Sequence, residues 1–513
     1  MIEAEVHSLL RNYLRAHAEV QWPHHLTMAR LITRALRLGR SALIQTGIPA
    51  WSMNPAYRLS YLFSVLVWPE SVIVVVPPGI LDEIINHNLP NLQDQIQALE
   101  TDLLLNKPIQ VGDYWPDSDY KGILFTTPQT WLNARLNNSN AFPNNIPTII
   151  DGVDDLEAWT REQLSVAIHP QDWENLIQTQ PNLADKIRET QIQLTQIVFQ
   201  HPPNPTHCYP LETPEHELLQ QLYHDLTQTT SHLNLPTPWM QFESGWNEDQ
   251  LYWVKLNRDQ GSFALYRAPI DVAAALQPIW YQQPVVLIGE ALDLDKQADS
   301  YRQLLGIEDI TCVKFSRDRT RQMIQLYLPS GLPMPNTPKF QASLIAQLRT
   351  ILSMSLSVSG LKVLLIDDTP LKAQISTQLA SEFGSLVQVE TINLSENGIL
   401  VTGWEFWRQY QSQVSPPCIL AIATLPLPSL EHPLVAGKVA YHKRNRQDWF
   451  RLYLLPTALN ELQRAVSSVR QTQGIVALFD NRVLYRSYGQ EVLTALSPLA
   501  RIDYLDRTLL IDR

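Results

Sequence analysis

"PTIIDGVDDLEAW", residues 147–159, is the stretch on which the fold turns. Pro147 opens a short apolar run, Ile149 and Ile150 carry it, and it stops at Asp151. A strand apolar on both faces is covered on both faces, and helices crossing between parallel strands provide that cover. Such strands present their last side chain to the crevice outside the carboxyl edge of the sheet, where α/β proteins bind ligands. Here one carboxylate arrives and a second does not, because Gly152 follows Asp151. "DDLEAW" then begins a helical pattern.

The flanking sequence repeats the arrangement. "SALIQTG" (41–47), "SVIVVVPPG" (71–79) and "GILFTTP" (122–128) are short apolar runs ended by turn residues. Residues 1–40 and "PAYRLSYLFSVLVW" (55–68) have helical spacing. From 157 to 284 the chain is rich in Gln, Thr and His and is broken by "HPPNPTH" (201–207), which predicts a mostly α-helical insertion. "QPVVLIGEALD" (283–293) returns to a buried strand. Beyond the Pro-rich bridge "LPSGLPMPNTPKF" (328–340), five more strands are expected in "LKVLLIDD", "VQVETIN", "GILVTG", "PCILAIATLP" and "QGIVALFD". The fold class is therefore α/β. A first parallel-sheet domain covers 1–157 plus 281–327, the insertion 158–280, and a second parallel-sheet domain 336–513.

Bulk composition narrows the function. The 513 residues, 45% hydrophobic, can bury large cores, yet no apolar run approaches the roughly 18 residues of a membrane span. Cys208, Cys312 and Cys418 lie too far apart for a disulfide framework or a zinc site. A soluble, cytoplasmic protein with no metal is expected. Glycine is scarce, at 18 residues, although phosphate-cradling loops rely on it. The net charge of −12 opposes extended contact with phosphates unless cations cluster locally.

In order along the chain, "WPHH" (22–25), "TGIPAWSMNPAYRLSYL" (46–62), "VIVVVPPGIL" (72–81), "DGVDDLEAW" (151–159) and "LIGEALDL" (287–294) are followed by "VLLIDDTP" (363–370), "WEFWRQYQ" (404–411), "LAIATLPLPSLEHPL" (420–434) and "LPTALNELQRAVSSVRQTQGIVALFDNRV" (455–483). This series resembles the motif order of the DinG/XPD branch of superfamily 2 DNA helicases. The resemblance implies two RecA-like domains of a P-loop NTPase helicase core, ATP and magnesium as cofactors, and single-stranded DNA as partner. It spans most of the chain.

Set against that pattern, the chemistry has thinned. The phosphate-binding lysine falls at Tyr57 and the magnesium-holding hydroxyl at Arg58. Trp51, Met53 and Pro55 replace small residues of the loop, and Pro55 has no N–H to offer. Asp151 keeps the metal-side carboxylate, Gly152 replaces the glutamate that orients water, and Asp154 stands where histidine is expected. Gly289 and Glu290 replace Ser and Ala. Phe406 and Trp407 are kept, but Arg408, Gln409 and Gln411 replace the polar working residues. Gln463 and Arg470 match the last motif, while Val466 and Ser467 do not. Phosphoryl transfer rests on positioning and charge neutralisation, so losses in every phosphate-facing motif weigh against turnover. Tyr57, Arg58, Asp151, Gln463 and Arg470 are thus degenerate nucleotide-site positions, with no catalytic residue among them. The residues weigh against ATP and magnesium alike. Residues 62–150 hold no cysteine, which excludes the iron–sulfur cluster of some relatives.

Other features stay open between two readings. Asp151, Asp154 and Asp155 suit a residual metal site, or a strand end running into a helix N-cap. In "YHKRNRQDWFRLY" (441–453), Lys443, Arg444, Arg446, Trp449 and Arg451 combine cations for phosphate with a ring for stacking, or form a solvated helix face. Arg30, Arg34, Arg37 and Arg40 make a weaker basic patch, read as solvated. Trp51 and the Trp404–Trp407 group are candidates to fill the vacated cleft. Three functions compete: a pseudo-helicase that binds nucleic acid, a scaffold that binds a protein partner through the insertion, and a working helicase with divergent motifs.

Overall fold

The computed structural model describes residues 2–17, 22–52, 55–97, 107–229, 235–243, 249–317, 319, 321–356 and 358–502. Strands β1 (Ala42–Gln45), β2 (Val72–Val75), β3 (Ile109–Val111), β4 (Ile123–Thr126) and β5 (Thr148–Asp151) form the first sheet with two later strands. Between them lie β6 (Val166–Ile168), β7 (Cys208–Pro210), β8 (Gln250–Asn257) and β9 (Ser262–Pro269), after which β10 (Val285–Gly289) and β11 (Thr311–Lys314) complete it. The order is β11-β1-β10-β5-β2-β4-β3 and every pairing is parallel. The opening stretch is therefore a central strand, held by β10 on one side and β2 on the other.

Alternation along these strands builds two cores from one sheet. Ile44, Val72, Val74, Ile123 and Ile149 face the helices Ile2–Ala16, His25–Leu38 and Arg58–Val67. Leu43, Ile73, Val75, Leu124 and Ile150 face the opposite way, with Trp131, Leu276 and Leu305. Being covered on both faces is why the strands read as unbroken apolar runs.

The second sheet repeats the plan. It contains β12 (Ile324–Tyr327), β13 (Lys362–Leu365), β14 (Val387–Val389), β15 (Ile399–Thr402), β16 (Ile419–Ile422), β17 (Ile475–Leu478) and β18 (Leu499–Ile502). Their order is β14-β15-β13-β16-β17-β12-β18, again all parallel. Strand β12 lies between β17 and β18, so the chain passes between lobes after β11, ahead of residue 327. The proline-rich bridge looked like the boundary because proline cannot continue a ladder, yet it only leads from β12 into the helix Pro338–Ser355.

The insertion departs from the mostly helical expectation. Its helices Pro170–Thr179, Ala184–Val198, Thr213–Thr229 and Thr237–Glu243 pack on a four-stranded antiparallel sheet ordered β6-β9-β8-β7. Its own core includes Trp173 and Trp239, in edge contact at 4.7 Å. "QLYWVKLN" and "SFALYRAP" are the two arms of a hairpin turned at Gly261, which has φ +60°. The helix Pro433–Arg444 of the second lobe docks on this sheet. Gly437 lies so close that a Cβ there would fall 2.1 Å from the Leu251 side chain. Among the described residues no helix is long and apolar enough to cross a membrane.

Candidate functional site: a filled strand end between two lobes

The turn after β1 is where a phosphate-cradling loop would hold its amides open. Here those amides are engaged. Thr46 N–H donates to the Gly289 carbonyl at 2.9 Å and Gly47 N–H to the Glu290 carbonyl at 2.8 Å. Ile48 N–H donates to Thr46 Oγ1, and Ser52 N–H to the Pro49 carbonyl. At the start of the helix Arg58–Val67, the Arg58 and Ser60 amides donate to the carbonyls of Pro55 and Tyr57. Met53 lies outside the described residues.

Helical spacing then sets two phenols side by side, since Tyr57 and Tyr61 are one turn apart. Tyr57 Oη donates to Asp151 Oδ1 at 2.7 Å and Tyr61 Oη to Asp151 Oδ2 at 3.0 Å. All three side chains are fully buried. Arg58, also buried, sets Nε 4.0 Å from Asp151 Oδ2. It spends its other donors on Glu83 at 2.8 Å, Asn88 at 2.9 Å and the Ala50 carbonyl at 2.8 Å. Burial raises both phenols well above their ordinary value, so they remain donors. Burial also lifts the Asp151 carboxyl, while Arg58 and the phenols pull it back. The WPHH residues complete the plug. The Trp22 ring meets His25, Phe315 and Tyr57, and His25 Nδ1 lies 3.0 Å from Ser60 Oγ. Burial drives the His25 imidazole down to about 4, which keeps it neutral.

These residues do not fit a nucleotide with magnesium. A metal needs an accessible carboxylate oxygen, and Asp151 is fully buried with each oxygen accepting a phenol hydrogen. The filling comes from Tyr57 and Tyr61, backed by Trp22, rather than from Trp51 or the Trp404–Trp407 group. Trp51 only lines the adjacent cavity, and Trp404 and Trp407 belong to the second-lobe core. Gly152 has a backbone reason. Its φ of +78° lies in the left-handed region, where a glutamate side chain would be strained although space exists for a Cβ.

The three aspartates point in three directions, and among the described residues no cluster of acids, histidines or cysteines could hold a metal. Asp151 faces the tyrosines. Asp154 accepts from the backbone amides of Glu290, at 3.0 and 3.1 Å, and of Ala291, at 3.3 Å. Asp155 stands at the N-cap position of the helix Leu156–Leu164 but makes no capping bond. It instead pairs in bidentate fashion with Arg464 of the second lobe, at 2.7 and 3.1 Å.

That ion pair belongs to a stripe which motif matching passed over. On the helix Leu455–Gln471, positions 460, 464 and 467 share one face. Asn460 donates to the Leu292 carbonyl at 3.3 Å, Arg464 pairs with Asp155, and Ser467 donates to Glu290. Glu290, buried and raised by burial, also takes Arg317 Nη2 at 3.1 Å. Glu290 lines two cavities, one of about 520 Å³ beside Trp51 and Arg408, the other of about 820 Å³ beside His24 and Lys296. Further out, Lys438 of the second lobe reaches Glu157 at 2.7 Å, and Arg161 braces the same carboxylate. Polar residues at helical spacing on one face of this helix are the signal that could have revealed Asn460, Arg464 and Ser467.

The two residues that matched the last motif go elsewhere. Gln463 is buried beside the larger cavity, with Nε2 unbonded. Arg470 turns away from the cleft. Its guanidinium donates to the carbonyls of Gln322, Leu496, Ser497 and Pro498, at 2.6 to 3.3 Å, and so closes the end of the helix Gly489–Leu496.

The 441–453 segment forms an exposed corner. Its first helix ends at Arg444, Arg446 takes φ +53°, and Asp448 receives the amides of Phe450 and Arg451 that start the next turn. The corner brings Lys443, Arg444 and Arg446 together on the surface. Trp449 is half-buried with Lys443 Nζ 5.3 Å from its ring centroid, and Arg451 pairs with Glu491 at 2.8 Å.

No protein-family model matches the chain. Over 267 residues, 49% of its length, it is 24% identical to the ATP-dependent DNA helicase YoaA of Escherichia coli (strain K12), of which 41% is matched. Over 277 residues it is 22% identical to the ATP-dependent DNA helicase YoaA of Haemophilus influenzae, covering 50% of the chain and 42% of that relative. The chain thus matches less than half the length of these curated relatives. Among solved structures, S. tokodaii Xpd4 superposes with a TM-score of 0.58 at 11% identity, covering 94% of this chain and 100% of the other. An XPD helicase structure gives 0.57 at 12% identity over 94% of this chain. The chain thus shares the fold of these XPD structures and is similar in sequence, over about half its length, to the two YoaA helicases.

Proposed function

We propose that this chain is a pseudo-helicase, a DinG/XPD-like two-lobed protein that binds nucleic acid without turning over ATP. One observation carries the reading: each oxygen of Asp151 is taken by a buried tyrosine, where a magnesium-bound nucleotide would have to sit. The lobes are also fastened by Arg464–Asp155 and Lys438–Glu157, so their approach does not wait on a ligand. The relatives' names, which specify DNA helicases, support nucleic acid as the partner class, and the corner carrying Lys443, Arg444 and Arg446 supplies cations for it.

Magnesium-dependent phosphate release, measured with and without single-stranded DNA, is expected to stay at the blank. Stimulated turnover that disappears in Asp151→Ala would sink the proposal. Nucleotide should also leave the unfolding midpoint in place, whereas a ligand at a hundred times its Kd would add about 2.7 kcal/mol. The second reading, a protein-interaction scaffold, is favoured by the net charge of −12. It takes over if no oligonucleotide binds at low salt.

A further inference from the structure

The first 40 residues hold six arginines, no lysine and three acidic residues, in a chain whose net charge is −12. Elsewhere many arginines are answered by carboxylates, among them Arg58 by Glu83, Arg161 by Glu157, Arg317 by Glu290, Arg464 by Asp155 and Arg482 by Asp480. Arg11, Arg15, Arg30 and Arg34 are exposed and have no hydrogen-bond or ion-pair partner among the described residues.

Geometry places them on one hairpin. The helices Ile2–Ala16 and His25–Leu38 are antiparallel, because Arg37 near the end of the second pairs with Glu3 at the start of the first. Their apolar faces, Val6, Leu10 and Tyr13 on one and Met28, Ile32 and Leu36 on the other, point into the first-lobe core. One turn on from the Arg37–Glu3 pair, Arg34 is level with His7. Another turn brings Arg30 level with Arg11, and Arg15 follows. Four residues along a helix advance about 6 Å, so the arginines form a ladder rather than a knot.

We propose that this hairpin is a phosphate-tracking surface for a nucleic-acid strand. The inference rests on the reading of the chain as a nucleic-acid binder and adds where the backbone runs. Guanidinium presents a planar fork that matches phosphate, and the exposed row lacks an aromatic ring for stacking, so the contact is to backbone and indifferent to sequence. It is separate from the 441–449 corner, which has a ring and suits bases.

The test is fluorescence anisotropy of a labelled oligothymidylate across a salt series. It compares the intact chain, the fourfold variant Arg11→Ala/Arg15→Ala/Arg30→Ala/Arg34→Ala, its all-lysine counterpart, and Lys443→Ala/Arg444→Ala/Arg446→Ala. The four side chains are exposed, so the variants should fold, which circular dichroism checks. Each phosphate released from a single strand contributes about −0.7 to the log–log salt slope, so the fourfold alanine variant should be shallower by about 2 to 3. Its binding at low salt should fall at least about ten-fold, while the lysine variant keeps most of the slope. An unchanged slope in the alanine variant, with the intact chain still binding, overturns this inference and leaves the proposed function standing. Displacement of the oligonucleotide by polyglutamate at equal charge overturns it in favour of an acidic polypeptide. No binding by the intact chain removes the proposed function, and this inference with it.

Discussion

At the end of β5 the polar side chains are turned inward and answered. Asp151 holds two phenols, and the arginine beside it is spent on Glu83, Asn88 and a carbonyl. At the 441–451 corner the polar groups are turned outward, and the side chains of Lys443, Arg444 and Arg446 are exposed. Both regions are rich in the residue types that handle phosphate, but their surroundings differ. Inside, a charge must be matched at once because desolvation is costly, so the buried carboxylate at this strand end is met by donors from its own chain. Outside, water solvates a charge and nothing forces it to be answered.

The contrast can be broken at its strongest point first. Asp151→Ala strands two buried phenols and leaves Arg58 short of a negative neighbour. It should cost about 3–5 kcal/mol, read as a lower unfolding midpoint of the first lobe, with no change in ATP turnover. Loss of less than about 1 kcal/mol would mean the cluster is wet and open.

Acid comes next. His25 protonates near 4 in the folded chain, against 6.5 as its ordinary value. The unfolded state therefore binds this proton first. Stability is full above that window and falls as pH drops through 6.5 toward 4. At about 1.4 kcal/mol per pH unit across the window, the loss reaches about 3 kcal/mol. Denaturant titrations at several pH values should show this fall, and His25→Asn should flatten it.

Arg464→Ala tests the lobe fastening. Asp155 is part-exposed, so the expected cost is smaller, about 1–3 kcal/mol. The readout is a larger radius of gyration in solution scattering and faster proteolysis between the lobes. The outward region gives the smallest effect. Lys443→Ala/Arg444→Ala/Arg446→Ala should leave stability within about 0.5 kcal/mol and weaken oligonucleotide binding by roughly ten-fold.

Both parallel sheets were legible because strands buried on two faces leave apolar runs that nothing else produces. The β8–β9 hairpin was missed because only its "VKLN" end alternates apolar and polar, and the surrounding helices and polar composition set the expectation. β12 was missed because "IQLY" is short and the prolines after it looked like a boundary. Asp151 stood out from its position at a strand end. Its partners did not all do so, since Tyr61 reads as one more apolar-face aromatic until Asp151 is placed opposite it. The last motif misled for a physical reason: Arg470 and Arg464 share a helix but not a face, and the match at Arg470 drew attention from the residue that crosses the cleft.

Gly437 has a use as a handle. It lets the helix Pro433–Arg444 settle against Leu251 of the insertion. A bulky residue there would act as a wedge, levering the insertion from the second lobe while leaving the Asp151 cluster and the Arg464–Asp155 pair intact. Whether nucleic acid or a protein partner reads the insertion and lobes as one continuous surface, or each alone, could then be learned from a single side chain.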